Sequence, residues 1–351
     1  MSFARYMELA LYWPGLGYYT GGSTKFGGGG DFVTAPELSS LFSQTLARHV
    51  AQVLDQAGEQ IVELGAGSGR MAHDLMLSLA ELGALPFSYA IVELSGELRQ
   101  RQQQTLDRLP QALRSRVQWL DAMPEKIAGL VLANEVLDAL PVHLVAWHDT
   151  SITERGVTWD TQRLAWAHRE LATGALLDRA LTLSPPTPYV SEIGLAVPAL
   201  VATLGRTLTR GALLFIDYGF GAREYYHPQR NRGTLMCHYR HRAHDDPFFL
   251  PGLQDITSHV DFTSVALTGL DCGLKLLGYT TQAHFLVNAG ITDVLARTSP
   301  HNSAEYLPLA SQAHKLLSPS EMGELFKVIA LGRGLDAPLT GFQAGDLSGL
   351  L

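Results

Sequence analysis

Two acids frame a glycine turn in the first third of the chain, and a third follows further on. In IVELGAGSGRMA, Glu63 lies two residues before Gly65, and Gly67 and Gly69 follow at alternate positions around Ala66 and Ser68. Backbone amides at a helix N-terminus attract negative groups, and glycine lets a ligand approach closely. A dinucleotide turn reads G-x-G-x-x-G. Here the third glycine comes one residue early, and Glu63 is a poor neighbour for a pyrophosphate. A carboxylate at that place suits a ligand with an amino group. S-adenosyl-L-methionine has an amino group, a carboxylate and a sulfonium, and no phosphate. Glu93, followed by Leu94 at the end of AIVELS, is placed to take both hydroxyls of a ribose. Asp121, with the backbone of Ala122, is placed to meet an adenine edge. Taken in this order, the turn and its acids favour S-adenosyl-L-methionine over a nicotinamide dinucleotide as cofactor.

The elements that must hold these groups follow from apolar patterning. SSLFSQTLARHVAQVLDQ, from Ser39, repeats at helical spacing behind a capping serine. EQIVELGAGSGRMAHDLMLSLAEL predicts strand, glycine turn and helix. FSYAIVELS predicts a second strand, LRQRQQQTLDRLP a polar helix, RVQWL a third strand and AGLVLANEVLDALP a fourth. Strands alternating with helices predict an α/β fold, Rossmann-like, with a mostly parallel sheet. After Pro141, VHLVAWHDTSITERGVTWD alternates as a hairpin, with its turn at Asp149-Thr150 or Arg155-Gly156. VPALVATLGRTLTRGALLFIDYG predicts a helix, a glycine stop and a strand. TQAHFLVNAG and LFKVIALG predict two late strands with helix between them. The chain then divides into an N-terminal helix and glycine-rich lid (1–50), a cofactor-binding core with the hairpin (51–220), an irregular insertion (221–260), and the end of the core sheet with inserted helices and a C-terminal tail (261–351).

Composition narrows the function classes. Hydrophobic residues are 46% and charged residues 17% of the chain, which supports a substantial core. The formal net charge is −8 with no stripe of Lys and Arg, which argues against extended nucleic-acid contact. No apolar run reaches membrane-spanning length, and the start lacks a basic segment followed by an apolar one. Cys237 and Cys272 make neither a disulfide framework nor a zinc spacing, so a reducing, cytoplasmic location is expected. His227, His238, His241 and His244 gather in the insertion with Asp245 and Asp246, at spacings that match no standard zinc or facial-triad pattern, and no metal is expected. The insertion reads as substrate-facing, the alternative being a structural loop.

The segments ALYWPGLGYYT, GDFVTAPELSSLFSQTLA, VELGAGSGRMAHDLM, LANEVLDALPVH, FIDYG, RGTLMCHYRH, PGLQDITSHVDFT, TTQAHFLVNAGI and MGELFKVIALG resemble the MidA-type methyltransferases over nearly the whole chain. That family includes the mitochondrial complex I assembly-factor arginine methyltransferase. The resemblance implies a class I S-adenosyl-L-methionine fold with a seven-stranded sheet, helices on both faces, an N-terminal lid segment and substrate-side insertions. It also implies methylation of a protein arginine, on a subunit of a respiratory-type assembly. A homodimer stays open. The family places GYY and GDFVTAPE beside the cofactor pocket, so Tyr18, Tyr19, Phe32, Thr34, Pro36 and Glu37 are expected as lid or wall residues. The glycines among them, Gly27 to Gly30 included, are then a hinge, or else a solvent loop of no set length. Two departures stand out: a short lead-in before YMELALY and more glycines in GGSTKFGGGG than the family usually carries.

Methyl transfer from a sulfonium is a direct displacement, so alignment is the enzyme's main task. An arginine acceptor is charged at ordinary pH, and paired carboxylates can localise that charge and free a lone pair. Asn134, Glu135 and Asp138 follow the fourth strand, at the edge where such sheets bind ligands. Glu135 is the expected guanidinium clamp, with Asp138 second and Glu192 of YVSEIG third, while Asn134 could accept from cofactor or substrate. Asp138 could instead cap a turn, and Glu192 could be a helix-start acid favoured by the dipole. His143 reads as structural rather than as a base, and Asp217 and Tyr218 as groove residues. Two other functions remain: a methyltransferase for a small molecule or another protein side chain, and an assembly chaperone retaining the fold. Intact glycines and Glu93 speak against the chaperone.

Overall fold

A computed structural model describes residues 1–21 and 33–351. Phe26, Phe32 and the Gly27 to Gly30 run of the expected lid lie outside the described residues.

Four apolar runs build the first half of the central sheet: β1 (Gln60–Leu64), β2 (Ser88–Val92), β3 (Val117–Leu120) and β4 (Ile127–Asn134). Their parallel register sets Leu64 beside both Val92 and Ala133, so the residues that follow all three strands share one edge. The chain then leaves the sheet for a four-stranded antiparallel one, made of β5 (His143–Trp147), β6 (Ile152–Asp160), β7 (Arg163–Glu170) and β8 (Tyr189–Ile193). It returns as β9 (Leu208–Phe220), parallel to β4. The insertion supplies β10 (Met236–Tyr239), β11 (Arg242–His244) and β12 (Asp255–Thr257), a small antiparallel sheet, and β13 (Val260–Asp261) pairs with the end of β9. β14 (Lys275–Thr281) and β15 (Phe326–Arg333) complete the order β3-β2-β1-β4-β9-β15-β14, with β15 running against its neighbours. This is the mostly parallel seven-stranded sheet that the resemblance implies.

Alternation along the strands dresses both faces of the sheet, as burial on two sides requires. Ile61, Leu130, Leu132 and Leu214 pack on one side with the helices before and after β1. Val62, Leu64, Val131 and Phe215 pack on the other with the helices Ala196–Thr207 and Phe262–Asp271. At the N-terminus, α1 (Phe3–Tyr12) is capped by Ser2, whose hydroxyl accepts from Arg5 N. Its Phe3, Met7 and Leu11 are buried with Leu144, Val157 and Ile256, joining β5, β6 and β12. α2 (Ala35–Leu38) carries Pro36 in its first turn. α3 (Ser40–Ala57) is capped by Ser39, α4 (Arg70–Glu81) starts at Gly69, and α5 (Gly96–Leu106) is capped by Ser95.

Several local expectations change. The hairpin after Pro141 turns at Asp149-Thr150 but belongs to a four-stranded sheet. Gly156 sits inside β6, where a Cβ would meet Met1 O at 2.4 Å, so the glycine there admits the N-terminus rather than a turn. Gly205 does not stop its helix; a Cβ there would lie 2.8 Å from Cys272 Cβ, so it serves a close packing contact. TQAHFLVNAG is not a strand: residues Gln282–Asn288 are helical, because the Thr281 side chain caps them by accepting from His284 N, and Gln282, Phe285 and Leu286 are buried at helical spacing.

Candidate active site

Two cavities open at the carboxyl edge of the sheet. The first, about 360 Å³, is lined by Glu63 and the Gly65–Gly67 turn, by Glu93 and Leu94 after β2, by Asn134 at the end of β4 and Glu135 after it, and by Tyr12, Tyr19 and the α2 segment. The turn needs its glycines. Gly65 and Gly67 have φ of +62° and +53°, in the left-handed region that other residues adopt at a cost. A Cβ on Gly65 would also lie 2.8 Å from Val136 Cγ2.

Glu63 is fully buried. The Tyr89 hydroxyl donates to its Oε2 at 2.7 Å, and Oε1 has no partner. Burial pushes its pKa up to about 7, with the Tyr89 bond pulling the other way. Asn134 Oδ1 is likewise buried and unpartnered against the same cavity. Two orphaned acceptors at one place call for a donor, and a ligand ammonium fits them. Glu93 Oε1 accepts from Ser95 N at 2.9 Å and Oε2 from Gln102 Nε2 at 3.0 Å. Burial raises its pKa and those bonds restrain the rise. Its carboxylate is thus held at the cavity wall, ready to accept from a diol. Leu94, 81% exposed, is an apolar cover beside it.

The second cavity, about 670 Å³, has Tyr19 and Glu135 in common with the first. Its other walls bring Asp138, Tyr218, Asp255 and His259 together from separate elements. Glu135 has φ +53°, an uncommon backbone state for a non-glycine residue that the surroundings must hold. Glu135 N donates to Ile216 O at 2.9 Å, and the next three N–H groups, of Val136, Leu137 and Asp138, all donate to Asp217 Oδ2 at 2.9–3.3 Å. Asp217 therefore shapes the loop that presents Glu135. The Glu135 pKa is pushed up to about 8, first by burial and then by the Asp138 carboxyl, while the Ala35 N–H and Asn134 bonds oppose this. Asn134 Nδ2 donates to Glu135 Oε1 at 3.2 Å. Burial raises Asp138 to about 6 against a hydrogen bond from Tyr218, and Asp138 Oδ1 is buried without a partner. His259 stacks on Phe220 and meets Tyr218 edge-on, and burial lowers its pKa to about 4.

A family profile described as "Putative S-adenosyl-L-methionine-dependent methyltransferase" matches residues 45–280. The crystal structure of a Burkholderia thailandensis protein bound to S-adenosyl-homocysteine is 53% identical, with a TM-score of 0.97, over 100% of this chain and 92% of that one. Among curated relatives, protein arginine methyltransferase NDUFAF7, mitochondrial, of Danio rerio is 29% identical over 94% of this chain and 83% of its own length. The Homo sapiens protein of that name is 28% identical over 94% and 80%. The chain belongs to the MidA-type S-adenosylmethionine-dependent methyltransferases.

S-adenosyl-L-methionine is the cofactor of this methyltransferase. The orphaned Glu63 and Asn134 oxygens would hold its ammonium, and Glu93 its ribose. Of the segment expected beside the pocket, Tyr19, Thr34, Pro36 and Glu37 line the first cavity, and the Ser68 hydroxyl donates to the Glu37 carboxylate. Tyr18 instead is fully buried under α1.

Three expected site residues are placed elsewhere. The Asp121 side chain is 92% exposed and pairs with Arg99 at 2.7 Å; neither it nor Ala122 lines the cavity, whose wall there is Met123. Glu192 lies in neither cavity. Its Oε1 accepts from Thr234 N at 3.0 Å and Leu235 N at 2.9 Å, and its Oε2 from Thr234 Oγ1 and Tyr225 OH. A Cβ on Gly233 would lie 2.3 Å from Glu192 Oε1, so the RGTL turn is built around this carboxylate. His143 pairs through Nδ1 with Glu154 at 2.7 Å. Among the described residues no group of three His, Cys, Asp or Glu is placed to hold a metal ion. Tyr12 and Asp255 are site residues that sequence reasoning passed over. Tyr12 had a usable signal as the aromatic end of an amphipathic helix; Asp255 had none beyond its motif.

Proposed function

We propose that this methyltransferase transfers its methyl group to an arginine side chain of a protein. The observation that carries the proposal is the position of Glu135, at the junction of the cofactor cavity with a second cavity that also holds Asp138 and Asp255. The relatives named protein arginine methyltransferase support the same reading. A subunit of a respiratory-type complex as the acceptor rests on sequence resemblance.

The cofactor supplies an electrophilic methyl group on a sulfonium. Glu135 and Asp138 would grip the guanidinium from one side and draw its positive charge toward the nitrogens they touch, leaving another nitrogen's lone pair for attack. As the N–CH3 bond forms and the S–CH3 bond breaks, that nitrogen must lose a proton. Burial raises the Glu135 pKa to about 8, and a guanidinium seated beside it lowers that value, so the carboxyl can ionise and accept the proton near neutral pH. Tyr19 lines both cavities and so borders the passage between them. Incubation with radiolabelled cofactor and host lysate, then mass spectrometry of the labelled protein, tests the proposal. Label on arginine supports it; label only on lysine, a carboxyl group or a small molecule refutes it.

A further inference from the structure

The second cavity is walled on its far side by the insertion, and one acid of that wall has no role yet. Asp255 is 2% exposed, on β12, and accepts the Tyr19 hydroxyl at 2.9 Å through Oδ1, which also takes Ile256 N at 3.0 Å. Tyr19 stacks on Tyr12 with ring centroids 5.5 Å apart, and Tyr12 OH donates to Ala139 O at 2.9 Å. Ser258 N donates to Asp138 O at 3.0 Å, so the strand bearing Asp255 is tied to the loop bearing Asp138 and Glu135. The placement of Asp255 is therefore fixed relative to both other acids.

We infer that Asp255 is a specificity-determining residue of the acceptor cavity: with Glu135 and Asp138 it forms a three-carboxylate wall that selects a planar guanidinium over an ammonium, and its bond to Tyr19 holds the ring bordering the methyl passage. The inference rests on the arginine reading above. A guanidinium spreads five N–H donors in a rigid fork, and its face stacks on aromatic rings. Acids from two separate elements, the loop after β4 and β12, line this cavity together with Tyr19 and Tyr218. A planar five-donor fork can bond several of them at once and lie against a ring, which a compact three-donor ammonium cannot.

The test uses the full-length protein and the labelled lysate protein, beside a version whose methylated arginine is replaced by lysine. Asp255→Asn should raise KM for the arginine acceptor roughly tenfold to a hundredfold and narrow the arginine-over-lysine preference, the scale of a lost charge-assisted hydrogen bond. Calorimetry should show S-adenosyl-homocysteine affinity within about twofold of the native protein. Tyr19→Phe removes only the hydroxyl and should raise the acceptor KM in the same direction, which keeps the test available should Asp255→Asn not fold. Label on a residue other than arginine would overturn the arginine reading and this inference with it. Label on arginine with unchanged KM and preference in the Asp255 and Tyr19 variants would overturn this inference alone, as would an equal loss of cofactor-product affinity.

Discussion

Tyr89 donates a 2.7 Å hydrogen bond to Glu63 Oε2 and leaves Oε1 without a partner at the cofactor cavity. One oxygen is thus spent on orienting the carboxyl and the other kept for a ligand. Replacing Glu63 by Gln keeps the shape and removes the charge that faces the ammonium. Calorimetry should show S-adenosyl-L-methionine binding weakened by about 1–3 kcal/mol, the scale for a charged partner. Native-like affinity in the variant would count against the ammonium site.

Glu93 makes a separate claim on the other end of the cofactor. Its carboxylate is held by Ser95 N and Gln102 Nε2, and Gln102 also donates to Gly67 O and accepts from Trp119 Nε1, so the acid is oriented from β2, α5 and the glycine turn together. Glu93→Ala should cost about 1–3 kcal/mol of cofactor affinity. The native protein should show no calorimetric response to NAD. An NAD response, or an unaffected variant, would remove the ribose assignment.

Glu192 should matter to stability and not to methyl transfer. Five donors converge on it: the Ser191, Thr234 and Tyr225 hydroxyls and the backbone N–H groups of Thr234 and Leu235. Glu192→Ala strands those donors in the interior, and each buried group left unmade costs about 1–3 kcal/mol. A clear drop in melting temperature is expected, with turnover per folded molecule near native. Full stability with abolished turnover would return Glu192 to the chemistry.

The central sheet was legible because parallel strands covered on both faces read as largely apolar runs, IVEL broken only by Glu63, YAIV and LVLA, between glycine and polar punctuation. The cofactor side was legible for a related reason: Glu63, Gly65, Glu93 and Asn134 each lie within a residue or two of the carboxyl end of their strand, and register brings strand ends together. The acceptor side was less so. Asp255 meets Tyr19 across 236 residues, a relationship no local spacing carries. Glu192 looked reactive in YVSEIG because its partners sit 42 and 43 residues away. In TQAHFLVNAG the apolar content suited a strand, and only the Thr281 cap with helical burial decides for a helix.

Glu135 should carry turnover while leaving cofactor binding nearly intact. Its backbone is held by Ile216 O and by the Asp217 grip on the following loop, so a side-chain change alone need not move the turn. Glu135→Gln keeps an acceptor oxygen but removes the charge that localises a guanidinium and the site for its proton. Losing one preorganised electrostatic partner typically lowers rate by roughly 100–1,000-fold. Radiolabel transfer to the protein acceptor should fall on that scale, with calorimetric cofactor affinity within a few-fold. A matching collapse of affinity would move Glu135 to the cofactor and leave Asp138 with Asp255 as the clamp.

The same acids set a pH dependence of stability whose sign follows from their shifts. Burial raises Glu63 from 4.5 to about 7 and Glu135 from 4.5 to about 8, so the folded protein keeps protons that the unfolded chain has already lost. Stability contributed by such groups is fully present below about 4.5 and drains away as pH rises through the folded values. His49 and His259 work in the opposite sense: burial lowers them from 6.5 to about 3 and about 4, so they favour folding as pH rises toward 6.5 and add no slope above it. The acids therefore dominate between about 6.5 and 8. Melting temperature of the cofactor-free protein should fall across that window at constant ionic strength. Glu135→Gln should flatten the fall throughout the window and Glu63→Gln only its lower part, each by removing its own proton from the balance. A melting temperature that rises across the window, or slopes that neither variant changes, would mean these carboxyls are ionised at neutral pH in the folded protein.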